Sequence, residues 1–306
     1  MVAFGWALLA LPGAARYRLS QLGPPIEARL GACSLVFGSG LISFGLVSMS
    51  VPTLLDGVGA HHLAALCRRL IHDFLAGGHL GGGVAAVLLT VLTIRAVIGW
   101  RRLRRIQRAT VIEPWVGHHH RGGDDYELVV VPSTDFIALT VDGDARQVVV
   151  SQGLVAALSD DELTMVIRHE LAHLRGRHHR YLAIAALVDA TFGRVPLVRS
   201  STRAMRLAVE RSADEGAAGE DPVARRVLYS ALTAAARLVP QPGIASFGGI
   251  DTVLERLRAL ESAPRSERTP WSYVAVGVVA SAASSLWLFS VIVVSVSLMS
   301  SGICYF

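Results

Sequence analysis

The stretch SDDELTMVIRHELAHLRGRHHRY, residues 159–181, is the clearest helix signal in the chain. Ser159 followed three residues later by Glu162 fits a capping box, which satisfies free backbone N–H groups at a helix start. Aliphatic residues then recur at the three- and four-residue spacing of an amphipathic helix; they are Leu163, Val166, Ile167, Leu171 and Leu174. The pattern predicts a helix over about residues 160–180.

Two histidines lie on one face of this predicted helix. His169 and His173 are four residues apart, and Glu170 directly follows the first. Imidazoles one helical turn apart can both bind a zinc ion, and the glutamate then lies where it can take a proton from water at the metal. A solvated, histidine-rich surface helix would not explain this pairing. We therefore interpret His169 and His173 as ligands of one Zn²⁺ and Glu170 as the catalytic base.

A second helix, predicted to begin near Ser200 or Ser201, carries two carboxylates at the same spacing. Glu210 and Asp214 are four residues apart within the stretch ERSAD. A catalytic zinc site takes three protein ligands and keeps one position open. Glu210 is the natural third ligand, and Asp214 is placed to accept a hydrogen bond from a ligand imidazole. The alternative is that both residues lie on an exposed acidic helix face.

The site also needs a hydrogen-bond donor for the oxyanion that develops during peptide hydrolysis. Arg203, Arg206 and His178 are the candidates, and the sequence does not choose among them. His178 and His179 are expected to continue the first helix. Their offset from His173 would turn them away from the metal, toward the surface.

Three short apolar runs precede the zinc helix and predict a small antiparallel β-sheet. The runs cover residues 127–132, 136–141 and 146–151. An Asp-Gly pair lies between the last two, which is typical of a tight hairpin turn. The strand at 136–141 is a candidate edge strand to which an extended substrate could add. Residues 109–126, which contain three consecutive histidines, are expected to be a solvated loop.

The composition indicates a membrane protein. Hydrophobic residues make up 52% of the 306 residues and charged residues only 17%, whereas soluble domains carry about 25% charged residues. Residues 30–55, 80–100 and 269–306 are each long and apolar enough to span a bilayer. Residues 1–15 are apolar but short, and we interpret them as a short membrane helix in preference to a signal-peptide core.

Arginines set the predicted topology. The run RRLRRIQR, residues 101–108, follows the second clear span, and the positive-inside rule places it in the cytoplasm. Residues 1–108 would then be an N-terminal membrane region, 109–268 a cytoplasmic zinc domain and 269–306 a last transmembrane helix. The expected fold is α+β: membrane helices flank a mainly helical, zincin-like domain in a multi-pass protein of the cell membrane. Because the arginine run lies beside a span, we expect it to contact lipid headgroups and not nucleic acid.

The two motifs together resemble those of integral-membrane zinc peptidases. HELAH (169–173) followed by ERSAD (210–214) is similar to the H-E-x-x-H and E-x-x-A-D pair of two groups. These are the BlaR/MecR-type antirepressor peptidases and, more distantly, the HtpX and CAAX prenyl protease group. The resemblance covers about residues 85–262. It implies that His169, His173 and Glu210 bind zinc. It also implies that Glu170 is the catalytic base and that Asp214 supports a ligand imidazole.

The spacing of the motifs favours the BlaR/MecR type. In HtpX-like proteins two membrane spans lie between the motifs, whereas His173 and Glu210 are too close here for two spans of about 20 residues each. The BlaR-like plan has three spans, a cytoplasmic zinc domain and a last span, and it fits better. BlaR and MecR proteins carry an extracellular penicillin-binding sensor domain after the last span. This chain ends at Phe306, so the resemblance does not imply β-lactam sensing.

Three functions are open at this point. The first is a membrane-bound zinc endopeptidase that cleaves a cytoplasmic protein, such as a winged-helix repressor in a signalling system. The second is an HtpX-like protease for membrane-protein quality control. The third is a non-catalytic zinc-binding sensor or scaffold, against which Glu170 argues because a structural zinc site has no use for a base. The expected partners are a protein substrate and the lipid bilayer; the sequence predicts no oligomeric state.

Overall fold

The structure is a computed structural model that describes residues 1–70, 78–112, 118–121, 126–141, 146–238 and 250–262. Within these residues the chain forms eleven α-helices and four β-strands. The chain is thus mostly helical with a small sheet, as predicted. The predicted last span, residues 269–306, lies outside the described residues.

Five helices precede the sheet: α1 (Val2–Ala14), α2 (Arg16–Leu19), α3 (Pro24–Gly57), α4 (His61–Leu70) and α5 (Gly78–Ile112). All of α3 and the Leu80–Ile106 part of α5 are long and apolar enough to cross a membrane, with mean hydropathies of 1.9 and 2.0. They contain the two clear spans predicted in this region. α1 is also apolar, but it has only 13 residues. Length and composition therefore favour membrane association.

The four strands form one mixed sheet, and the prediction of an antiparallel sheet is wrong. The strands are β1 (His118–Arg121), β2 (Glu127–Val131), β3 (Ala138–Val141) and β4 (Gln147–Ser151), in the order β1-β2-β4-β3. β3 and β4 form the expected antiparallel hairpin, but β4 pairs with β2 in parallel. β2 and β4 take the centre of the sheet and β3 lies at an edge. Four valines of the two central strands are 0% exposed: Val129, Val148, Val149 and Val150. β1 also replaces part of the loop expected at 109–126.

The zinc helix begins as predicted but ends earlier. α7 (Asp160–Arg175) starts with the full capping box between Ser159 and Glu162. It stops because Gly176 caps it and Arg177 adopts a left-handed φ of 50°. The remaining helices are α6 (Gln152–Ala157), α8 (His178–Phe192), α9 (Pro196–Ala218), α10 (Pro222–Leu238) and α11 (Ile250–Glu261). His178 therefore begins a new helix, so the expectation that it continues the zinc helix is wrong.

Helix α9, which carries Glu210 and Asp214, packs directly against the apolar helices α1 and α3. Ser201 Oγ accepts a hydrogen bond of 3.0 Å from the backbone N–H of Gly13. Arg211 lies 3.5 Å from the carboxylate of Glu27 in an ion pair that is mostly shielded from solvent. Ala28 of α3 forms a small buried cluster with two residues of α9, Ala208 and Val209. The candidate membrane helices therefore position the helix that supplies the acidic residues of the site.

Candidate active site

Three side chains from two helices converge on one point, as the sequence predicts. Nε2 of His169 and Nε2 of His173, both on α7, are 3.1 Å apart. Glu210 approaches from α9, with one carboxylate oxygen 3.6 Å from Nε2 of His169 and the other 3.8 Å from Nε2 of His173. The three side chains are at least partly buried, and their ligand atoms all lie within 4.8 Å of one another.

This donor set fits a zinc ion. Two imidazole nitrogens and one carboxylate oxygen are typical zinc ligands, and three of them leave a fourth position for water or substrate. A tetrahedral zinc ion with ligands at about 2.0–2.1 Å holds its ligand atoms about 3.3 Å apart. The observed separations of 3.1, 3.6 and 3.8 Å lie around that value. Only small side-chain shifts are needed for His169, His173 and Glu210 to bind one ion together.

Asp214 lies behind the first ligand, also as predicted. Its Oδ1 is 3.0 Å from Nδ1 of His169, and its side chain is almost fully buried. A carboxylate at Nδ1 favours the tautomer that carries its proton there, which leaves the lone pair of Nε2 directed at the metal position. Asp214 therefore sets the orientation and the protonation of one predicted ligand.

Arg256 of α11 is a site residue that the sequence analysis missed. It is 0% exposed, and it donates hydrogen bonds of 2.8 and 2.7 Å from Nε and Nη2 to the two carboxylate oxygens of Asp214. Its Nη1 also lies 3.0 Å from Oε2 of Glu210. The guanidinium therefore joins the two acidic residues of the site and compensates their buried charge.

The amphipathic pattern of α11 contains a signal for this role. The residues at the three- and four-residue spacing of its buried face are Val253, Arg256, Leu257 and Leu260. An arginine in the middle of an apolar face needs a buried partner, since an unpaired buried charge is strongly unfavourable. The pattern could have shown that Arg256 has an acidic partner, but not which one.

His178 belongs to the site, and the expectation of a surface position is wrong. The turn at Gly176 and Arg177 reverses the chain, so the first residue of α8 points back toward α7. His178 is buried, and its Nδ1 lies 3.0 Å from Nδ1 of His173. A Cβ on Gly176 would meet the His178 ring at 2.3 Å, so a larger residue at this position would displace the ring. His178 thus holds the second predicted ligand from behind, as Asp214 holds the first.

Glu170 lies beside this cluster and faces a small cavity. The cavity has a volume of about 30 Å³, and His169, Glu170 and Arg256 form its polar side. Burial, opposed in part by the nearby charge of His169, raises the pKa of Glu170 to about 6. A carboxylate with this pKa is ionised at neutral pH and remains basic enough to accept a proton from water.

The remaining protonation states match a site that exchanges a proton for a metal ion. Burial works to lower the pKa of His169, but the contacts with Asp214 and Glu210 outweigh it and raise the pKa to about 9. Burial lowers the pKa of His173 to about 3 and that of His178 to about 4. Burial would raise the pKa of Glu210, but His169 and Arg256 lower it to about 2. At neutral pH one proton therefore sits on His169, beside an ionised Glu210.

The two arginines considered as oxyanion donors lie before Glu210 on α9. Arg206 forms a 2.6 Å ion pair with Asp189 of α8, and Arg203 is exposed. His178 is the one of the three candidates that is in contact with a predicted ligand, but that contact uses its Nδ1. An oxyanion role for Arg203, Arg206 or His178 stays a prediction.

A comparison with known protein families supports the chemistry of this site. Residues 102–241 match the model of Peptidase family M48. This range includes α7 and α9, which carry the two motifs, and ends before Arg256. M48 peptidases depend on a metal ion, so the match supports a metallopeptidase function for this region. It does not separate the BlaR/MecR-like reading from the HtpX-like one. No curated protein and no solved structure matches the chain.

Proposed function

We propose that the protein is a membrane-embedded, zinc-dependent endopeptidase that cleaves a cytoplasmic protein, with a transcriptional repressor as the first candidate. One observation carries the catalytic part of this proposal. A buried carboxylate, Glu170, lies beside a three-residue donor set and faces a cavity. A structural zinc site would use its ligands alone, whereas hydrolysis needs a base next to them.

The residues divide the work of hydrolysis among them. Zinc bound by His169, His173 and Glu210 would supply Lewis-acid polarisation of the scissile carbonyl group and would acidify water. Glu170 accepts a proton from the attacking water and later delivers it to the leaving amine. Asp214 keeps the Nε2 lone pair of His169 available. The cavity around Glu170 limits the access of bulk water to the transferred proton.

The edge strand β3 offers a place for the substrate main chain. Within the described residues β3 pairs with β4 on one side and has no strand on the other. The backbone N–H of Ser151 donates to the carbonyl oxygen of Ile137 at 3.0 Å. Bonded and non-bonded residues alternate along an antiparallel pair, so the peptide groups of Ala138 and Thr140 face the open edge. An extended substrate would pair there, next to Glu170.

The surface of α5 supports membrane embedding. Only 11% of the most apolar part of Leu80–Ile106 is buried by the rest of the chain, and side chains such as Leu80, Val87 and Ile98 are largely exposed. An exposed apolar surface of this length is stable in lipid and unstable in water. By the positive-inside rule the arginines at 101–108 would lie at the cytoplasmic headgroups, and the zinc domain would then also be cytoplasmic.

The decisive experiment compares Glu170→Gln with the purified wild-type chain, loaded with zinc in detergent. We expect the variant to bind one zinc ion and to cleave fluorescently labelled casein at least about a thousandfold more slowly, since it keeps the ligands and loses the base. The exposed Glu220→Gln is the matched control and should cleave as the wild type does. Equal cleavage by wild type and Glu170→Gln would contradict the proposal.

The biological role requires a cellular comparison. Cells that express Glu170→Gln in place of the wild type should accumulate a full-length cytoplasmic protein, which quantitative proteomics would identify. A DNA-binding repressor among the accumulating proteins would support the signalling role. Accumulation of misfolded membrane proteins alone would contradict it and favour quality control.

A further inference from the structure

We propose that the cavity beside Glu170 is a specificity pocket for a small aliphatic side chain of the substrate, on a residue next to the scissile bond. The inference rests on the proposed peptidase function and adds the class of sequence that the enzyme cuts. It is carried by the walls, the size and the position of the cavity.

Two separate hydrophobic clusters form the walls. On one side lie Phe136, Leu154 and Val166, which belong to the cluster between the sheet and α7. On the other side lie Leu228 and Leu232 of α10, which belong to the cluster between α10 and α11. Protein interiors are normally packed without gaps of this size. The cavity lies between the two clusters, and Glu170 is part of its lining.

The chemistry of the walls selects an apolar occupant. Apart from Glu170, His169 and Arg256, the cavity is lined by aliphatic and aromatic side chains. The charge of Arg256 is already compensated by Asp214 and Glu210. A charged substrate side chain would lose its water among walls that are mostly apolar, which is unfavourable.

The size selects a small occupant. A cavity of about 30 Å³ holds one or two water molecules. The methyl groups of alanine or valine replace that volume of water, whereas a phenyl or indole ring does not fit. Valine and alanine are therefore the preferred residues, and phenylalanine and tryptophan should be rejected.

The position ties the cavity to the substrate main chain. Ala138 lines the cavity and lies on β3, at a position whose peptide group faces the open edge. Directly opposed residues of neighbouring strands project their side chains to the same face of a sheet. A substrate residue paired opposite Ala138 would therefore direct its side chain into the cavity, beside Glu170.

The test is a cleavage-site profile. The zinc-loaded full chain is incubated with a proteome-derived peptide library, and mass spectrometry identifies the residues on both sides of each cut. We expect alanine and valine to be enriched at one of the two flanking positions, and charged and aromatic residues to be depleted there. A flat profile would overturn the pocket and leave the peptidase intact. Absence of any cleavage that depends on Glu170 would overturn both.

Two variants of opposite effect make the assignment specific. Leu232→Ala enlarges the cavity and should raise the cleavage of peptides with leucine or phenylalanine at the selected position by about tenfold or more. Ala235→Leu fills the rim and should lower cleavage after or before valine by a similar factor while glycine is still accepted. Ala236→Leu, one residue on and exposed, is the matched control.

Each variant is first checked for one bound zinc ion and for a folded state at the assay temperature, because Leu232→Ala removes buried methyl groups and should lower the melting temperature. The pair of variants then gives a clear decision, because a folding defect would lower all cleavage and could not broaden the profile toward larger residues. An unchanged profile in Leu232→Ala and Ala235→Leu would overturn the proposed pocket.

Discussion

Arg256 holds Asp214 through two parallel hydrogen bonds, of 2.8 and 2.7 Å, although the two residues lie on different helices. This forked geometry is the strongest arrangement that an arginine forms with a carboxylate. Both side chains are almost completely shielded from solvent. Through Asp214 the pair determines the position of His169, so the short helix α11 acts on the metal site without supplying a ligand.

We expect Arg256→Ala to destabilise the protein strongly. The substitution leaves the carboxylates of Asp214 and Glu210 buried without their cation, which typically costs about 3–5 kcal/mol in the free energy of unfolding. Arg256→Lys should recover only part of that loss, because an ammonium group cannot form the fork. Arg258→Ala, an exposed site on the same helix, is the control. Chemical denaturation of the three variants measures the effect, and equal stability of Arg256→Ala and Arg258→Ala would refute it.

Removal of the His178 imidazole should weaken zinc binding. His178 contacts the nitrogen of His173 that faces away from the metal, and loss of such a partner typically lowers metal affinity by about 10–100-fold. Competition with a chelator of known affinity measures the change in His178→Ala. His179→Ala, the next and exposed residue, should bind zinc normally. Gly176→Ala should imitate His178→Ala, since its Cβ would displace the ring.

Zinc binding should release about one proton near neutral pH. In the metal-free protein the pKa of His169 is raised from 6.5 to about 9, so the ion must displace a proton from that ring. The apparent affinity should therefore rise about tenfold per pH unit up to pH 9. Calorimetry in two buffers of different ionisation enthalpy counts the protons. An affinity that is constant between about pH 6 and 8 would show that the pKa of His169 is not raised in the metal-free protein.

The same shift predicts how the stability of the metal-free protein depends on pH. The folded protein binds the proton of His169 more tightly than the unfolded chain does. This contribution is fully present below pH 6.5 and is lost as the pH rises through about 9. Thermal unfolding in the presence of a chelator should show the loss, and Asp214→Asn should reduce it because Asp214 helps to hold the proton.

Peptidase activity should fall on the acidic side of a pKa near that of Glu170. The base works only when ionised, and burial raises its pKa from 4.5 to about 6. A zinc ion bound nearby favours the ionised form of Glu170 and so lowers its pKa. The acidic limb of the pH profile should therefore begin at or below pH 6, and kcat/KM should fall about tenfold per pH unit below that point. Activity measured at saturating zinc separates this limb from metal loss. A profile that stays flat down to about pH 4 would contradict the assignment of the base.

Proline at the open edge of β3 should impair substrate binding and spare the metal site. The N–H of Thr140 faces away from β4, so Thr140→Pro removes a donor from the edge without breaking the hairpin. We expect a higher KM for peptides, with zinc affinity unchanged. Thr140→Val keeps the N–H and is the control. If Thr140→Pro cleaves peptides with the wild-type KM, the substrate does not pair with β3.

Most of the features that the sequence predicted correctly depend on interactions between residues close together in the chain. The capping box at Ser159 and Glu162 acts over a few residues and is formed as predicted. The Asp-Gly signal is equally local, and the two strands that it separates, β3 and β4, pair antiparallel as predicted. His169 and His173 share a face because of helix geometry alone. The position of Glu210 beside these histidines depends on the packing of two helices, which no local pattern predicts. It was predicted because a catalytic zinc site needs a third protein ligand.

The missed features depend on contacts between distant parts of the chain. Burial of the valines in β2 and β4 decides their parallel pairing, and no short-range pattern encodes it. Arg256 finds Asp214 from another helix. The position of His178 does have a local signal, because Gly176, two residues after the last aliphatic residue of α7, is a typical helix stop. A helix that ends at Gly176 lets the chain reverse, so that His178 can point back toward the site.

The packing of α9 against α1 and α3 also limits how the enzyme can be prepared. Expression of residues 109–268 alone would remove Glu27 from Arg211 and uncover the face of α9 that includes Ala208 and Val209. The helix that carries Glu210 would then lose these contacts. A fragment meant to keep the metal site intact must therefore include α1 and α3, and detergent is a suitable medium for their exposed apolar side chains.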